Sequence, residues 1–231
     1  MGLIAVSSIF ADVRNTLNDE GSVLRWEDAD LINYYNDAIN QLALVRPDST
    51  AVLATLSLVA GTKQALPAGG LRLIKATRNM GAGGATPGAP VYRGDELSLG
   101  LFKPDWHSQA AVAAPTTYLY DDRDPKTIWC EPPSDGTGKW EIVHSTIPTA
   151  LTAASLAAGA LVSVDDVYVG AVKQWMWHRA FGVEISSLSS QNLSRNYERA
   201  FYQSLGVKYQ GDRAVSPNTP QPMTQIVAGG A

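Results

Sequence analysis

One cysteine, three histidines, a deficit of basic charge and the lack of any long apolar run remove several classes of protein at once. Cys130 stands alone in the chain, so an internal disulfide scaffold is excluded. Its place in a β-prone run favours a buried apolar side chain over a reactive thiol. His107, His144 and His178 offer no pair at the i, i+4 spacing of a helical zinc site. His178 follows Trp177 on a predicted helix, and His144 alternates with Ile142 and Trp140 as a strand residue does. No serine occupies a Gly-x-Ser-x-Gly elbow. No stretch reaches the roughly 20 apolar residues needed to span a bilayer. The segment Leu3 to Ala11 has no basic residue before it and runs into Asp12 and Arg14, so it reads as a helix start and not a signal peptide. Val6 stands where an acylation motif needs Ser or Thr. With 18 basic against 22 acidic residues the formal charge is −4, which supplies no basic field for gripping phosphates.

What is present is 45% hydrophobic residues, enough for a core in one domain or two small ones. Two helical patterns open the chain and two close it. Val6, Ile9, Phe10, Val13 and Leu17 lie at helical spacing in residues 3–18. Asp28 caps a second stripe of Leu31, Tyr34, Tyr35, Ala38, Leu42 and Val45, which Pro47 stops. Asp165 or Asp166 caps a third helix, with Tyr168, Ala171, Val172 and Trp175 inward, running to about Ile185 and broken by Ser186 to Ser190. The last begins near Asn192, carries Leu193, Tyr197, Ala200, Phe201 and Leu205, and ends near Gly206. Stripes that cannot be buried singly predict a bundle.

Between them the period changes. Val52–Val59, Gln64–Pro67, Leu71–Met80, Thr117–Tyr120, Thr127–Glu131 and Trp140–Ser145 are β-prone. Turn-forming runs separate them at Ala60–Lys63, Asp121–Lys126 and Pro132–Gly138. The expected fold is α+β: a discontinuous helical bundle (1–48 plus 163–208), an inserted small antiparallel β-sandwich or barrel (49–162) and an extended C-terminal arm (209–231). Pro217, Pro220 and Pro222 would hold the end of that arm extended. It is either a disordered tail or a segment ordered only against a neighbour.

Three motifs invite chemistry and each has a plainer reading. The run Gly81 to Gly88 lacks the Lys-Ser/Thr ending of a phosphate loop and reads as a flexible surface loop. Asp121, Asp122 and Asp124 lack the Gly and closing Glu of a calcium loop and read as a solvated hairpin turn. Glu20 with Glu27 or Asp28 could form the carboxyl pair of a glycan hydrolase, but acidic residues beside a helix start are ordinary capping chemistry. No catalytic, metal or cofactor residue is assigned, and no cofactor is expected. Six tryptophans are scattered along the chain. Trp175 and Trp177 lie about 200° apart on one helix, so one is expected in the core and the other at the sandwich or a second subunit.

These elements, in this order, resemble the head-to-tail connector (adaptor) proteins of tailed bacteriophages, particularly of short-tailed phages. The likeness is carried by Trp26–Ala38 on the second helix, by Pro115–Tyr120, Ile128–Pro133 and Trp140–Pro148 in the β part, and by Asp165–Phe181 with Arg195–Gly206. The resemblance implies a structural, non-enzymatic subunit of the virion, made in the host cytoplasm. It implies a homo-oligomeric ring, of twelve copies by analogy, beneath the portal protein and above a downstream nozzle or tube protein. DNA would pass its channel without specific binding and no membrane would be involved. The interface residues it suggests are Trp175, Trp177, Tyr209, Val215, Pro217, Pro220, Pro222 and Met223. A tail-associated peptidoglycan hydrolase is the second reading, and a sugar-binding sandwich the third.

Overall fold

The structure, a computed structural model, describes residues 2–21, 23–184 and 187–215. Helix α1 (Val6–Leu17) buries Val6, Ile9, Phe10 and Val13. It ends at Asn18, whose left-handed φ of 53° is a conformation that asparagine tolerates better than most residues. Arg14 then ties the helix end to the next element, with its guanidinium 2.8 Å from Asp19 and 2.7 Å from Asp28. Helix α2 (Asp28–Val45) starts one residue later than its expected cap, since Glu27 is the N-cap and Asp28 the first helical residue. The Asp30 carboxylate accepts the Glu27 N–H at 3.2 Å. Pro47 forces Arg46 out of the helical region, and a short 3-10 turn, Pro47–Thr50, carries the chain into the strands.

Eight strands follow: β1 (Ala51–Ser57), β2 (Gly61–Ala65), β3 (Gly70–Met80), β4 (Pro87–Pro90), β5 (Tyr92–Arg93), β6 (Thr117–Leu119), β7 (Thr127–Ser134) and β8 (Lys139–Thr146). They form two four-stranded sheets, β1-β8-β3-β4 and β2-β7-β6-β5. Every pair is antiparallel except the two-residue β5 against β6. Leu56, Leu73, Ala76, Trp140 and Ile142 from the first sheet meet Tyr118, Ile128 and Cys130 from the second in one core. This is the sandwich the alternation predicted.

Several boundaries differ from the sequence reading. Gly61 to Lys63 belong to β2 and not to a turn, and the chain crosses between sheets at residues 58–60. Pro132 and Pro133 lie within β7, opposite the irregularity in β2 where Gly61 faces Ser134 and Lys63 faces Trp129. A strand accepts residues without an N–H at such an interruption. The β7–β8 turn is therefore confined to residues 135–138. There Gly136 takes φ 89°, and a Cβ on Gly138 would lie 2.0 Å from the Ala113 carbonyl oxygen. The run Gly81 to Gly88 is not a free loop throughout: Gly81 N–H donates to Thr86 O at 2.8 Å, and Pro87 and Gly88 already pair with β3 as part of β4. Helix α3 (Glu96–Phe102), capped by the Asp95 carboxylate on Ser98 N–H, and the 3-10 turn Trp106–Ser108 occupy a stretch given no regular structure from sequence.

The return path joins the bundle early. Leu151 and Val162 are buried in the helical core, with Leu156 of the short helix α4 (Ala153–Ala157) packed against it. Asn36 on α2 clasps this segment, donating to Leu151 O at 3.0 Å and accepting Leu151 N–H at 2.7 Å. Val6 N–H to Ala160 O and Val162 N–H to Ile4 O fasten the start of α1 to the same segment. Asp165 caps the turn Asp166–Tyr168, which leads into α5 (Val169–Gly182). That helix ends short of the expected Ile185, which lies outside the described residues, as does Ser186.

Helix α6 (Leu188–Val215) departs most from expectation. Leu188, Ser189 and Ser190 open it instead of breaking the preceding helix. Gly206 does not end it, so residues 207–215 are helical and Tyr209 and Val215 belong to α6, not to an extended arm. A single glycine costs a helix only about 1 kcal/mol relative to alanine, less than Phe201 and Leu205 return by burial one turn earlier. Leu193 faces outward, 38% exposed, while Ser194 turns in and donates to His178 O at 2.9 Å.

Candidate functional site

No convergent catalytic centre is found among the described side chains. Asp28 is held by Arg14, and Glu27 starts α2, so two of the carboxyl groups weighed for glycan cleavage do helix-end work. The half-buried and buried carboxylates of the sandwich each face a cation, Glu131 with Lys103 at 2.8 Å and Glu141 with Arg78 at 2.9 Å. Asp121 accepts Arg123 N–H at 2.9 Å in the β6–β7 turn, while Asp122 pairs with Arg72 at 2.6 Å. No group of three or more His, Cys, Asp or Glu among the described residues could hold a metal. Cys130 is fully buried, and burial pushes its thiol pKa up. His144 is buried in β8, and His107 stacks on Trp106 with ring centroids 3.6 Å apart. No helix among the described residues is long and apolar enough to cross a membrane.

The residues singled out for contacts gather on two helices. Trp175 meets Phe201, Tyr202 and His178 at centroid distances of 4.9, 6.3 and 4.9 Å. Trp177 meets Tyr197 at 5.1 Å. Neither fills the bundle core, contrary to the expectation for one of them. Met176 between them does, fully buried, and both indoles lie half-buried at its margin. The two directions were read correctly as different, but 3.6 residues per turn puts the intervening residue inward. Trp175 also lines an apolar groove of about 580 Å³ where α2 and α5 meet the sandwich, with Leu44, Leu71, Ile147 and Pro148.

Tyr209 sits in a knot of charge at the end of α6. The Arg46 guanidinium lies 5.4 Å from its ring centroid. The same group pairs with Asp48 at 2.6 Å and Asp212 at 3.3 Å and donates to Leu205 O. Lys208 adds a second cation 2.9 Å from Asp212. The hydrogen bond from Arg46 holds the Asp48 carboxyl below its ordinary value of 3.8. A depressed carboxyl stabilises the fold above the unfolded-state value and loses that contribution as pH falls through the folded one. Protection of the last turns of α6 against amide exchange, corrected for intrinsic rates, should therefore be level from pH 7 to 5 and decline only below 3.8. Arg46→Ala should lower it at every pH, by roughly 1 to 2 kcal/mol given the exposure of both acidic partners. Pro217, Pro220, Pro222 and Met223 lie outside the described residues.

Sequence reading missed a further surface. Helix α3 buries none of its side chains, and Leu97, Leu101 and Phe102 are 75%, 73% and 85% exposed. The signal was there: Asp95 three residues before Ser98, then leucines four apart.

Contact surfaces carried on two cores make this an assembly protein in its construction. Residues 4–221 match the family model of the SU10 adaptor protein, and the chain belongs to that family of bacteriophage adaptor proteins. No curated protein matches the chain.

Proposed function

We propose that this protein is the head-to-tail adaptor of its phage, a ring under the portal protein that carries the downstream nozzle or tube protein and lets the genome pass. The observation that carries this reading is the family match over residues 4–221, which spans the bundle, the sandwich and part of the C-terminal segment. A portal's twelve-fold symmetry would set twelve copies, with the bundle near the channel and the sandwich and residues 209–231 making outer contacts. In this reading Trp175, Trp177, Tyr209, Val215, Pro217, Pro220, Pro222 and Met223 are interface residues. The formal charge of −4 suits a channel that DNA slides past. The protein would then reside in the virion, at the head–tail junction, as a non-enzymatic part of a short tail.

The test is to image portal rings of the same phage by electron cryo-microscopy with the full chain and with a chain ending at Val215. A new layer of matching symmetry, holding a helical and a β tier, is the expected result for the full chain, and its loss the expected result for the truncated one. Bare portals with the full chain would remove the adaptor reading. Equal decoration by both chains would remove the role of residues 216–231.

A further inference from the structure

Two apolar features of the chain are unpartnered, and they lie apart. Helix α3 sits on the connection from β5 to β6, at the border of the second sheet. It presents Leu97 and Leu101, four residues apart and so on one face, with Phe102 beside them. The three expose several hundred square ångströms of apolar surface, the scale at which a patch on a monomer marks an interaction site. The groove of about 580 Å³ lies against the first sheet and the bundle, and Leu44 and Ile147 on its walls are 74% and 56% exposed. Its one charged residue, Asp37, stands at the rim with its carboxylate 3.2 Å from Arg179. Lys103 directly follows Phe102, and its side chain is 52% exposed. A helix entering the groove by Phe102 would bring that ammonium group toward the acidic rim.

We infer that α3 of one copy docks in the groove of the next copy, between Leu44, Ile147 and Trp175. This rests on the adaptor reading and says which surfaces join neighbours. A ridge and a groove on different parts of one chain make a heterologous contact, which closes into a ring when the rotation per copy allows. The occupant is a second copy because one chain carries both halves with opposite charge at the contact. The area supplied by α3 falls short of the roughly 800 Å² per partner of a standard interface. The contact alone is therefore weak, as suits copies that gather on a template.

Cysteine trapping tests it, because the native Cys130 is fully buried and silent. Phe102→Cys and Leu44→Cys alter exposed side chains and leave both cores intact. Full-length proteins, each carrying one change, are mixed at about 1 mM and oxidised, since a disulfide needs Cα atoms within about 7 Å. The expected result is at least tenfold more cross-linked dimer in the mixture than in either protein alone. Leu53→Cys, exposed on β1, should give only background with Leu44→Cys. Trapping of Phe102→Cys with itself, or no trapping above the Leu53→Cys control, overturns the inference. Portal rings decorated by the full chain but with no trapped pair would sink this contact and leave the adaptor reading standing. Bare portals would sink the adaptor reading itself.

Discussion

Replacing Trp140 by alanine is expected to cost about 3 to 5 kcal/mol, the range for removing a large aromatic from a packed core. Trp140 is fully buried in β8, between a neighbour on each side in its sheet and the facing sheet. Its indole N–H is shared between Asn79 Oδ1 at 3.1 Å and Pro115 O at 3.2 Å. Trp140→Phe separates the two contributions. It keeps most of the volume, and Pro115 O still accepts from Asn79 Nδ2 at 2.9 Å, so only Asn79 Oδ1 is stranded. That variant should lose roughly 1 to 3 kcal/mol. Urea unfolding monitored by circular dichroism measures both, and equal losses would mean that the hydrogen bonds and not the packing hold the sandwich.

Phe201→Ala should act as strongly on the bundle. Phe201 is fully buried on α6, with its ring 4.9 Å from Trp175 and 5.2 Å from Tyr202. Removing it opens a cavity in the seam between α5 and α6, again for about 3 to 5 kcal/mol. Fluorescence of the paired indoles Trp175 and Trp177 should shift at a lower urea concentration. The two buried clusters share no side chain, so the losses from Trp140→Ala and Phe201→Ala should add to within about 0.5 kcal/mol. A loss below about 1 kcal/mol in Phe201→Ala would show that the seam collapses around the gap.

The bundle and the sandwich were legible because each rests on a repeating period. Val6, Ile9, Phe10 and Val13 announce α1, and alternation in Trp140, Ile142 and His144 announces β8. Features set by one residue against a distant one were not legible. Gly206 carries a stop signal that α6 overrides, because Phe201, Leu205 and the pairing of Asp212 with Arg46 hold the helix on both sides of it. Pro132 and Pro133 look like a turn until the irregularity in β2 across from them is known. Helix α3 failed for a different reason: its apolar side chains face outward, so a reading that looks for a buried stripe passes over it. Trp175 was marked as a contact residue on the count of aromatics alone. Its place on a groove wall, beside Leu44 and Ile147, depends on three segments far apart in the chain.

The pairing of Ala51 with Ser145 has a topological consequence. The strand that leaves the bundle and the strand that returns to it are hydrogen-bonded neighbours, about 5 Å apart. To the helices, everything from β1 to β8 is therefore equivalent to a single hairpin turn. A chain that joined residue 50 to residue 147 through two or three residues would trace the same path through all four long helices. The sandwich can thus grow, shrink or be exchanged for another module while the ends that the bundle must hold stay one strand spacing apart.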